Sequence, residues 1–274
     1  MKVFFNGKII PLEKIHINPY DIGFLRGYAV FDVMRIHNNK PFLLKEHYER
    51  FQKSAKTLKL KVPFSKNDFI KITENLIRIN NLLNKNAIIR TILTGGISFN
   101  AFTAGNPNCY ILIEKFVPLP RQIYEKGAKI ITLKYQRHLP LAKTTNYIEP
   151  IRNDKLKKRN NALEIVYINN GVVLEASTSN FFIVKSGKII TPKEKVLKGI
   201  TRGLIIKLAR GKFSVEEREI SEKEMRSADE AFLTATNKDI VPVIQIDGNK
   251  VNNGKIGENT KILMNKLSEF LKKY

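Results

Sequence analysis

The sequence predicts a two-domain α+β chain, and three observations carry that prediction. Apolar residues recur with helical spacing in some segments and with strand-like alternation in others. Near mid-chain, Pro118-Leu119-Pro120 interrupts the pattern; two prolines stiffen a linker and bar a central strand. Beyond it, short apolar runs follow one another through hairpin turns, the signature of antiparallel sheet. The division reads as an N-terminal domain over 1–117, a linker over 118–122 and a C-terminal domain over 123–274.

The elements follow in order. Val3-Phe4-Phe5 and Lys8-Ile9-Ile10 flank Asn6-Gly7, a strong hairpin signal. Residues 28–36 read as a strand with turn residues Asn38-Asn39 after it. A helix over 45–59 places residues 48, 51, 55 and 58 on one face. A second helix covers 66–81, with Ser65 or Asn67 as its N-cap. Strands at 87–94 and 109–117 enclose a glycine-containing loop over 95–107. After the linker come a strand at 128–135, a loop with Pro140, and a helix over 147–158, in which Pro150 fits only within the first turn. Strands at 163–168, 172–175, 180–184 and 188–190 are joined by Asn169-Asn170-Gly171 and Ser186-Gly187. A helix runs from Gly199-Ile200-Thr201 to about 210, and a short one covers 221–227. Strands at 230–235 and 241–246, a turn at Asp247-Gly248 and a helix over 258–272 close the chain.

Composition narrows the functional classes. The chain has 274 residues, 43% of them hydrophobic, enough for a sizeable core. The formal net charge is +23, from 48 basic and 25 acidic residues. Of the basic residues 35 are Lys and 13 Arg. Bidentate phosphate and base recognition favours Arg, so this excess reads as solvated surface rather than a specific nucleic-acid site. The densest runs, Lys155 to Arg159 and Lys193 to Lys198, are short. A basic polyanion-binding protein is the remote alternative, and weak, salt-sensitive binding is expected in any case. Cys109 is the only cysteine, which excludes an intrachain disulfide and fits a reducing cytoplasm. The N-terminal stretch lacks the core of a signal peptide, and no run approaches a membrane span. His16, His37, His47 and His138 lack metal-ligand spacing, so no metal is expected.

Three features point to chemistry. Lys143, in LPLAKTTNYI, is flanked by Leu139, Leu141 and Ala142; desolvation of an amine lowers its pKa and makes it a Schiff-base former. An ordinary surface lysine is the competing reading. Glu175 ends the apolar run of GVVLEASTSNFFIV, a costly position for a carboxylate unless it is paired, or else an exposed strand end. Leu197 to Arg202 precede a helix, whose free N–H groups and Thr201 hydroxyl suit an anion, or else form a plain N-cap. A lysine, an acid some thirty residues on and a phosphate cradle beyond it meet the needs of a pyridoxal phosphate site.

At this point the sequence resembles the class IV, or fold-type IV, pyridoxal phosphate aminotransferases. That family contains branched-chain aminotransferases, D-amino acid aminotransferases and aminodeoxychorismate lyases. The resemblance runs through FFNGKIIP, AVFDVMRI, HYERFQKSA, AKTTNY, LEASTSNFF, LKGITRG, ADEAFLTAT and PVIQIDG. It implies a small N-terminal α/β domain, a larger strand-rich pseudobarrel domain, a pocket between them, and homodimers that bring a partner's loop near each site, here 95–107.

The resemblance also implies roles. Lys143 is similar to the Schiff-base lysine that carries the proton between substrate Cα and cofactor C4'. Glu175 resembles the carboxylate facing the pyridine nitrogen, and Arg50 the arginine that grips the phosphate. The amides of Ile200 and Thr201 and the hydroxyl of Thr236 match the other phosphate donors. Tyr147 resembles a tyrosine near the 3'-oxygen. Phe31, Val33 and Arg35 occupy the strand that lines the substrate pocket, with Arg90, Arg26 and Asn237 as further substrate-binding candidates. Phe31 and Arg35 are similar to branched-chain enzymes, which usually have Gly where Val33 stands. The D-amino acid enzymes have Tyr and Lys at 31 and 35, and the lyases a threonine at 33. Ile88 and Arg26 stand where the branched-chain pocket has tyrosines. The expectation is transamination between an L-amino acid, branched-chain or glutamate, and a 2-oxo acid. Aminodeoxychorismate lyase and D-amino acid aminotransferase are the alternatives.

Overall fold

A computed structural model describes residues 1–83 and 85–274. The chain divides into two compact units. One comprises Met1–Val117 and Ala142–Asn146, the other Pro118–Leu141 and Tyr147–Tyr274.

The first unit contains β1 (Lys2–Phe5), β2 (Lys8–Pro11), α1 (Ile22–Leu25), β3 (Ala29–His37), β4 (Lys40–Pro41), α2 (Leu44–Thr57), α3 (Lys66–Ile79), β5 (Ala87–Thr94) and β6 (Cys109–Lys115). Asn6 and Gly7 both take positive φ, as the tight β1–β2 hairpin requires. Ser65 caps α3, and Asp68 returns the bond in a full capping box. The strands form an antiparallel six-stranded sheet in the order β2-β1-β6-β5-β3-β4. Alternation along β3 buries Val30, Asp32, Met34 and Ile36 and leaves Phe31, Val33 and Arg35 half-buried. Helix α2 packs Tyr48, Phe51 and Ala55 into the core, about 1.5–3 kcal/mol for each large side chain.

The second unit contains α4 (Arg121–Lys126), β7 (Ala128–Lys134), α5 (Ile148–Arg152), α6 (Asp154–Arg159), β8 (Glu164–Asn169), β9 (Val172–Ala176), β10 (Asn180–Lys185), β11 (Lys188–Thr191), α7 (Ile200–Arg210), β12 (Val215–Glu217), β13 (Ile220–Ser221), α8 (Glu222–Arg226), β14 (Glu230–Ala235), β15 (Asp239–Ile246), β16 (Asn249–Lys250) and α9 (Glu258–Lys273). Among the described residues the strands form a ten-stranded mixed sheet, β12-β11-β10-β14-β15-β7-β8-β9-β13, with β16 on β15. In a flat sheet, β9 and β10 would lie five strand spacings apart, about 24 Å. Only residues 177–179 join them, and Ala176 to Asn180 spans at most about 14 Å. The sheet must therefore curl, bringing the Ala176 amide within 2.8 Å of the Ser179 carbonyl. Its interior holds Ile130, Val166, Phe181, Leu233 and Val241. This is the α+β architecture with a strand-rich pseudobarrel.

Two details depart from the sequence reading. The helix expected over 147–158 is two short helices, α5 and α6. Asn153 between them has ψ near 11°, and its side-chain amide donates to the Glu149 carbonyl at 2.9 Å, competing with the helix ladder. Pro150 does lie in the first turn of α5. Residues 142–146, counted with the second domain, pack with the first unit. The Phe31 amide donates to the Lys143 carbonyl at 2.9 Å and the Thr145 amide to the Ala29 carbonyl at 3.0 Å. They extend the edge of β3 from more than a hundred residues away.

Candidate active site

Three bonds within the first unit fix the backbone around Lys143. Two are the β3 edge bonds just described, one at the Lys143 carbonyl and one at the Thr145 amide. In the third, the Lys143 amide donates to Ser54 Oγ at 3.0 Å, and the Ser54 hydroxyl donates to the Arg50 carbonyl at 2.9 Å. Ser54 thus ties Lys143 to α2 one turn after Arg50. The Lys143 ammonium lies 4.6 Å from the centre of the Phe31 ring. Lys143 is thus a half-buried lysine whose amine lies over an aromatic face.

Arg50 belongs to a buried cluster that sequence reasoning missed in part. Its Nε donates to Asp32 Oδ2 at 2.7 Å and its Nη2 to Asp32 Oδ1 at 2.9 Å. His47, one turn earlier on α2, lies 2.6 Å from the same Asp32 oxygen. An ionised carboxylate only accepts, so His47 Nδ1 carries the hydrogen. The fork fixes the guanidinium plane and leaves Nη1 outside the pair with Asp32. Burial alone would raise the Asp32 pKa, but the Arg50 and His47 interactions outweigh it and hold the carboxyl well below the usual range. Burial lowers the His47 pKa from 6.5, against the opposing pull of Asp32.

These shifts predict a pH dependence. As pH falls through 6.5, the unfolded chain takes a proton on His47 that the folded chain refuses, so stability falls. The Asp32 contribution is present above its unfolded value, near 3.8, and is lost only below that. Urea unfolding followed by circular dichroism should therefore lose stability between about pH 7 and pH 5, by at most about 1.4 kcal/mol per pH unit for one proton. His47→Asn should flatten that slope; an unchanged slope would contradict the assignment.

The substrate-binding candidates of the first unit fall largely on one sheet face. Phe31, Val33 and Arg35 on β3 stand opposite Ile92, Arg90 and Ile88 on β5. All six lie on the half-buried side, the side from which Lys143 covers Phe31. Arg90 forms a bidentate pair with Glu114 of β6, at 2.8 and 3.1 Å. Arg35 stacks 4.5 Å from the Phe116 ring. Arg26, the C-cap of α1, is exposed and stacks 5.4 Å from the Phe102 ring.

In the second unit, Glu175 is buried at 5% exposure and is no exposed strand end. Arg137 Nη1 donates to its Oε1 at 2.9 Å, and the Leu197 amide to its Oε2 at 3.0 Å. Arg137 also donates to the Pro140 carbonyl at 3.2 Å, bracing the loop ahead of Lys143. The N-cap of α7 is Gly199, which has no side-chain capping bond; Thr201 is the second helical residue. The first-turn amides of Ile200 and Thr201 therefore open an eleven-residue helix with no side chain capping it. Thr236 and Asn237 form the turn between β14 and β15, Thr236 half-buried and Asn237 exposed. Tyr147 is the half-buried N-cap residue of α5.

Gly199 is sterically required. A Cβ there would lie 2.0 Å from Asn180 Oδ1, and Asn180 is held by donating to the Leu197 carbonyl at 2.8 Å. Gly199→Ala should cost about 1–3 kcal/mol in urea unfolding, the usual size of an overpacking penalty. It should also weaken phosphate-ester binding by shifting the start of α7. Wild-type stability would show that this loop yields freely.

The donors suit the cofactor implied by the resemblance. Arg50 and the α7 amides have the chemistry for a phosphate, the buried Glu175 that for a ring N–H, and Lys143 that for a carbonyl carbon. Among the described residues no group of His, Cys, Asp or Glu could hold a metal, and no helix is long and apolar enough to cross a membrane. The residues missed by sequence reasoning, Asp32, Ser54 and Arg137, are polar side chains aimed into buried ground. Asp32 inside AVFDVMRI, on the buried side of the alternation, was the available signal.

Known proteins resemble this chain over its whole length. The model of the family described as amino-transferase class IV matches residues 29–246. A putative branched-chain-amino-acid aminotransferase of Methanocaldococcus jannaschii is 32% identical, over 100% of this chain and 98% of its own length. A D-alanine aminotransferase of Staphylococcus aureus is 27% identical, over 100% of this chain and 99% of its own. Among solved structures, a T.th. branched-chain amino acid aminotransferase complexed with N-(5'-phosphopyridoxyl)-L-glutamate superposes with a TM-score of 0.89 at 25% identity. That match covers 98% of this chain and 93% of the other.

Proposed function

The chain belongs to the amino-transferase class IV family, and on that basis we propose that it moves an amino group between an L-amino acid, branched-chain or glutamate, and a 2-oxo acid, with pyridoxal 5'-phosphate on Lys143. The observation that carries this reading is Lys143 itself. Its backbone is locked to β3 and α2, and its amine covers Phe31 on the sheet face shared with Val33, Arg35 and Arg90.

When bound, pyridoxal phosphate supplies the electron sink for the charge left at Cα. The chain does the rest. Lys143 Nζ would hold the cofactor's carbonyl carbon and would carry the proton taken from the substrate Cα. Glu175, oriented by Arg137 and the Leu197 amide, would accept from the pyridine N–H and favour its protonated form. Arg50, the amides of Ile200 and Thr201, and the Thr236 hydroxyl would supply the phosphate donors. Tyr147 would be the neighbour of the 3'-oxygen. Phe31 and Val33 offer apolar surface to a branched side chain; Arg35, Arg90, Arg26 and Asn237 are assigned to carboxylates and the pocket rim.

The branched-chain relative and the phosphopyridoxyl-glutamate complex of the T.th. enzyme support this donor class. The D-alanine aminotransferase relative keeps the D-amino acid reading as the second one; Phe31 and Arg35, where those enzymes carry Tyr and Lys, argue against it. We also assign a homodimer in the cytoplasm. Loop 95–107 supports the dimer: its base is closed by the Gly105 amide to the Gly95 carbonyl, and Phe99 and Phe102 are 98% and 86% exposed.

The test is the visible spectrum of the protein with pyridoxal phosphate, before and after L-leucine, L-glutamate and D-alanine. A visible band that bleaches with L-leucine or L-glutamate is expected. Bleaching by D-alanine alone would transfer the assignment to the D-amino acid class. A band inert to all three would favour lyase chemistry, and no band would remove the cofactor.

A further inference from the structure

Lys238 is 9% exposed, an uncommon burial for a lysine. It follows the Thr236-Asn237 turn, and its amide donates to the Ala235 carbonyl at 3.1 Å. Its ammonium pairs with Glu164 and donates to the Thr178 hydroxyl, with Ser179 Oγ at 3.4 Å. Glu164, 2% exposed at the start of β8, also accepts from the hydroxyls of Ser177 and Thr178, from the Thr178 amide at 3.1 Å and from the Ser179 hydroxyl at 2.9 Å. Burial alone would raise the Glu164 pKa; Lys238 and the hydroxyl donors outweigh it and hold the carboxyl down at about 2.

A buried ion pair is weak evidence for stability, since well-packed apolar residues often serve as well. What this pair does is join segments far apart in sequence. Residues 177–179 begin two positions after Glu175 and lead into Asn180. Asn180 donates to the Leu197 carbonyl, while the Leu197 amide donates to Glu175, two residues before Gly199 opens α7. Thr236 stands two residues before Lys238. The Glu175 carboxylate, the start of α7 and the Thr236 turn therefore each lie within a few residues of the hydrogen bonds that Glu164, Lys238 and Asn180 make.

We propose that Glu164 and Lys238 are positioning residues that fix the spacing of the Thr236 turn, the start of α7 and the Glu175 carboxylate, and so set the affinity for pyridoxal phosphate. Neither is assigned a contact with the cofactor. The proposal rests on the cofactor reading above and adds the reason those donors keep their spacing.

The experiment measures two quantities on each variant: the Kd for pyridoxal phosphate, from titration of the visible band, and the melting temperature of the cofactor-free protein. Lys238→Met leaves a buried charge unpaired and invites misfolding, so the deciding variant is Glu164→Gln with Lys238→Met, which removes both charges. Its melting temperature should stay close to wild type while its Kd rises about tenfold or more, the consequence of lost preorganisation. Lys238→Arg should restore most of the affinity. Thr178→Val, which removes the hydroxyl's bonds to Glu164 and Lys238 and leaves both charges, should raise the Kd in the same direction by a smaller factor, and it decides the matter if the double variant fails to fold. A purely structural pair would lower the melting temperature and leave the Kd unchanged. A wild-type Kd in the folded double variant, or in Thr178→Val should that be the only one to fold, overturns the proposal. No visible band in the wild-type protein would instead overturn the cofactor reading beneath it.

Discussion

Replacing Lys143 with alanine is expected to abolish transamination while leaving the fold intact. In the proposed chemistry, the amine both holds the cofactor covalently and transfers the Cα proton, and proton transfer alone accounts for about 10²- to 10⁴-fold in rate. Losing both roles takes turnover to background. The structural cost is small, because the bonds that fix residue 143 to Ser54, Phe31 and the β3 edge come from its backbone and its neighbours. The contact with the Phe31 ring is worth about 0.5–1 kcal/mol at a partly exposed site. Steady-state assay beside a thermal melt checks both halves. Near-normal turnover in the variant would sink the assignment of Lys143.

Asp32→Ala should be the most destabilising of the single substitutions considered. It leaves the Arg50 guanidinium buried, its side chain 10% exposed, without the carboxylate that holds it, and strips His47 of its acceptor. Removing one partner of a buried ion pair costs about 3–5 kcal/mol, a large share of an ordinary domain's stability. Urea unfolding of the cofactor-free protein at pH 7 measures it. Asp32→Asn, which keeps an acceptor, should lose less. Pairing Asp32→Ala with Arg50→Met should recover stability, since no charge remains buried, yet leave pyridoxal phosphate binding weak, since the phosphate donor is gone. Recovery of both would show that Arg50 has no part in holding the phosphate. A loss below about 1 kcal/mol in Asp32→Ala would mean that water reaches the cluster.

On the proposed reading, the two faces of β3 carry different tasks. Asp32 points to α2 and anchors Arg50, while Phe31 and Val33, one residue to either side, face the side covered by Lys143. Strand alternation makes that division available. It also makes the register unforgiving, because a slip by one residue would exchange the buried carboxylate for the aromatic ring.

The elements and their punctuation are legible along the chain. Asn6-Gly7 makes a hairpin because both residues accept positive φ, and Ser65 caps α3 because its hydroxyl meets the Asp68 amide. The alternation of AVFDVMRI produces β3 with Asp32 on its buried side. These are local rules, written within a few residues, so no other part of the fold is needed to read them. The family blocks also draw attention to Lys143, Glu175 and Arg50 before any geometry is known.

How those residues are held depends on contacts made across the fold. Residues 142–146 complete the edge of β3 from far along the chain. Arg137 reaches Glu175 over 38 positions and Lys238 reaches Glu164 over 74. The curl that brings β9 to β10 follows from three linking residues acting against five strand spacings. An ion pair between distant residues leaves no periodic trace, because its partners obey the alternation of two separate strands or loops. Its geometry exists only once both backbones are in place, and burial then makes the pairing obligatory.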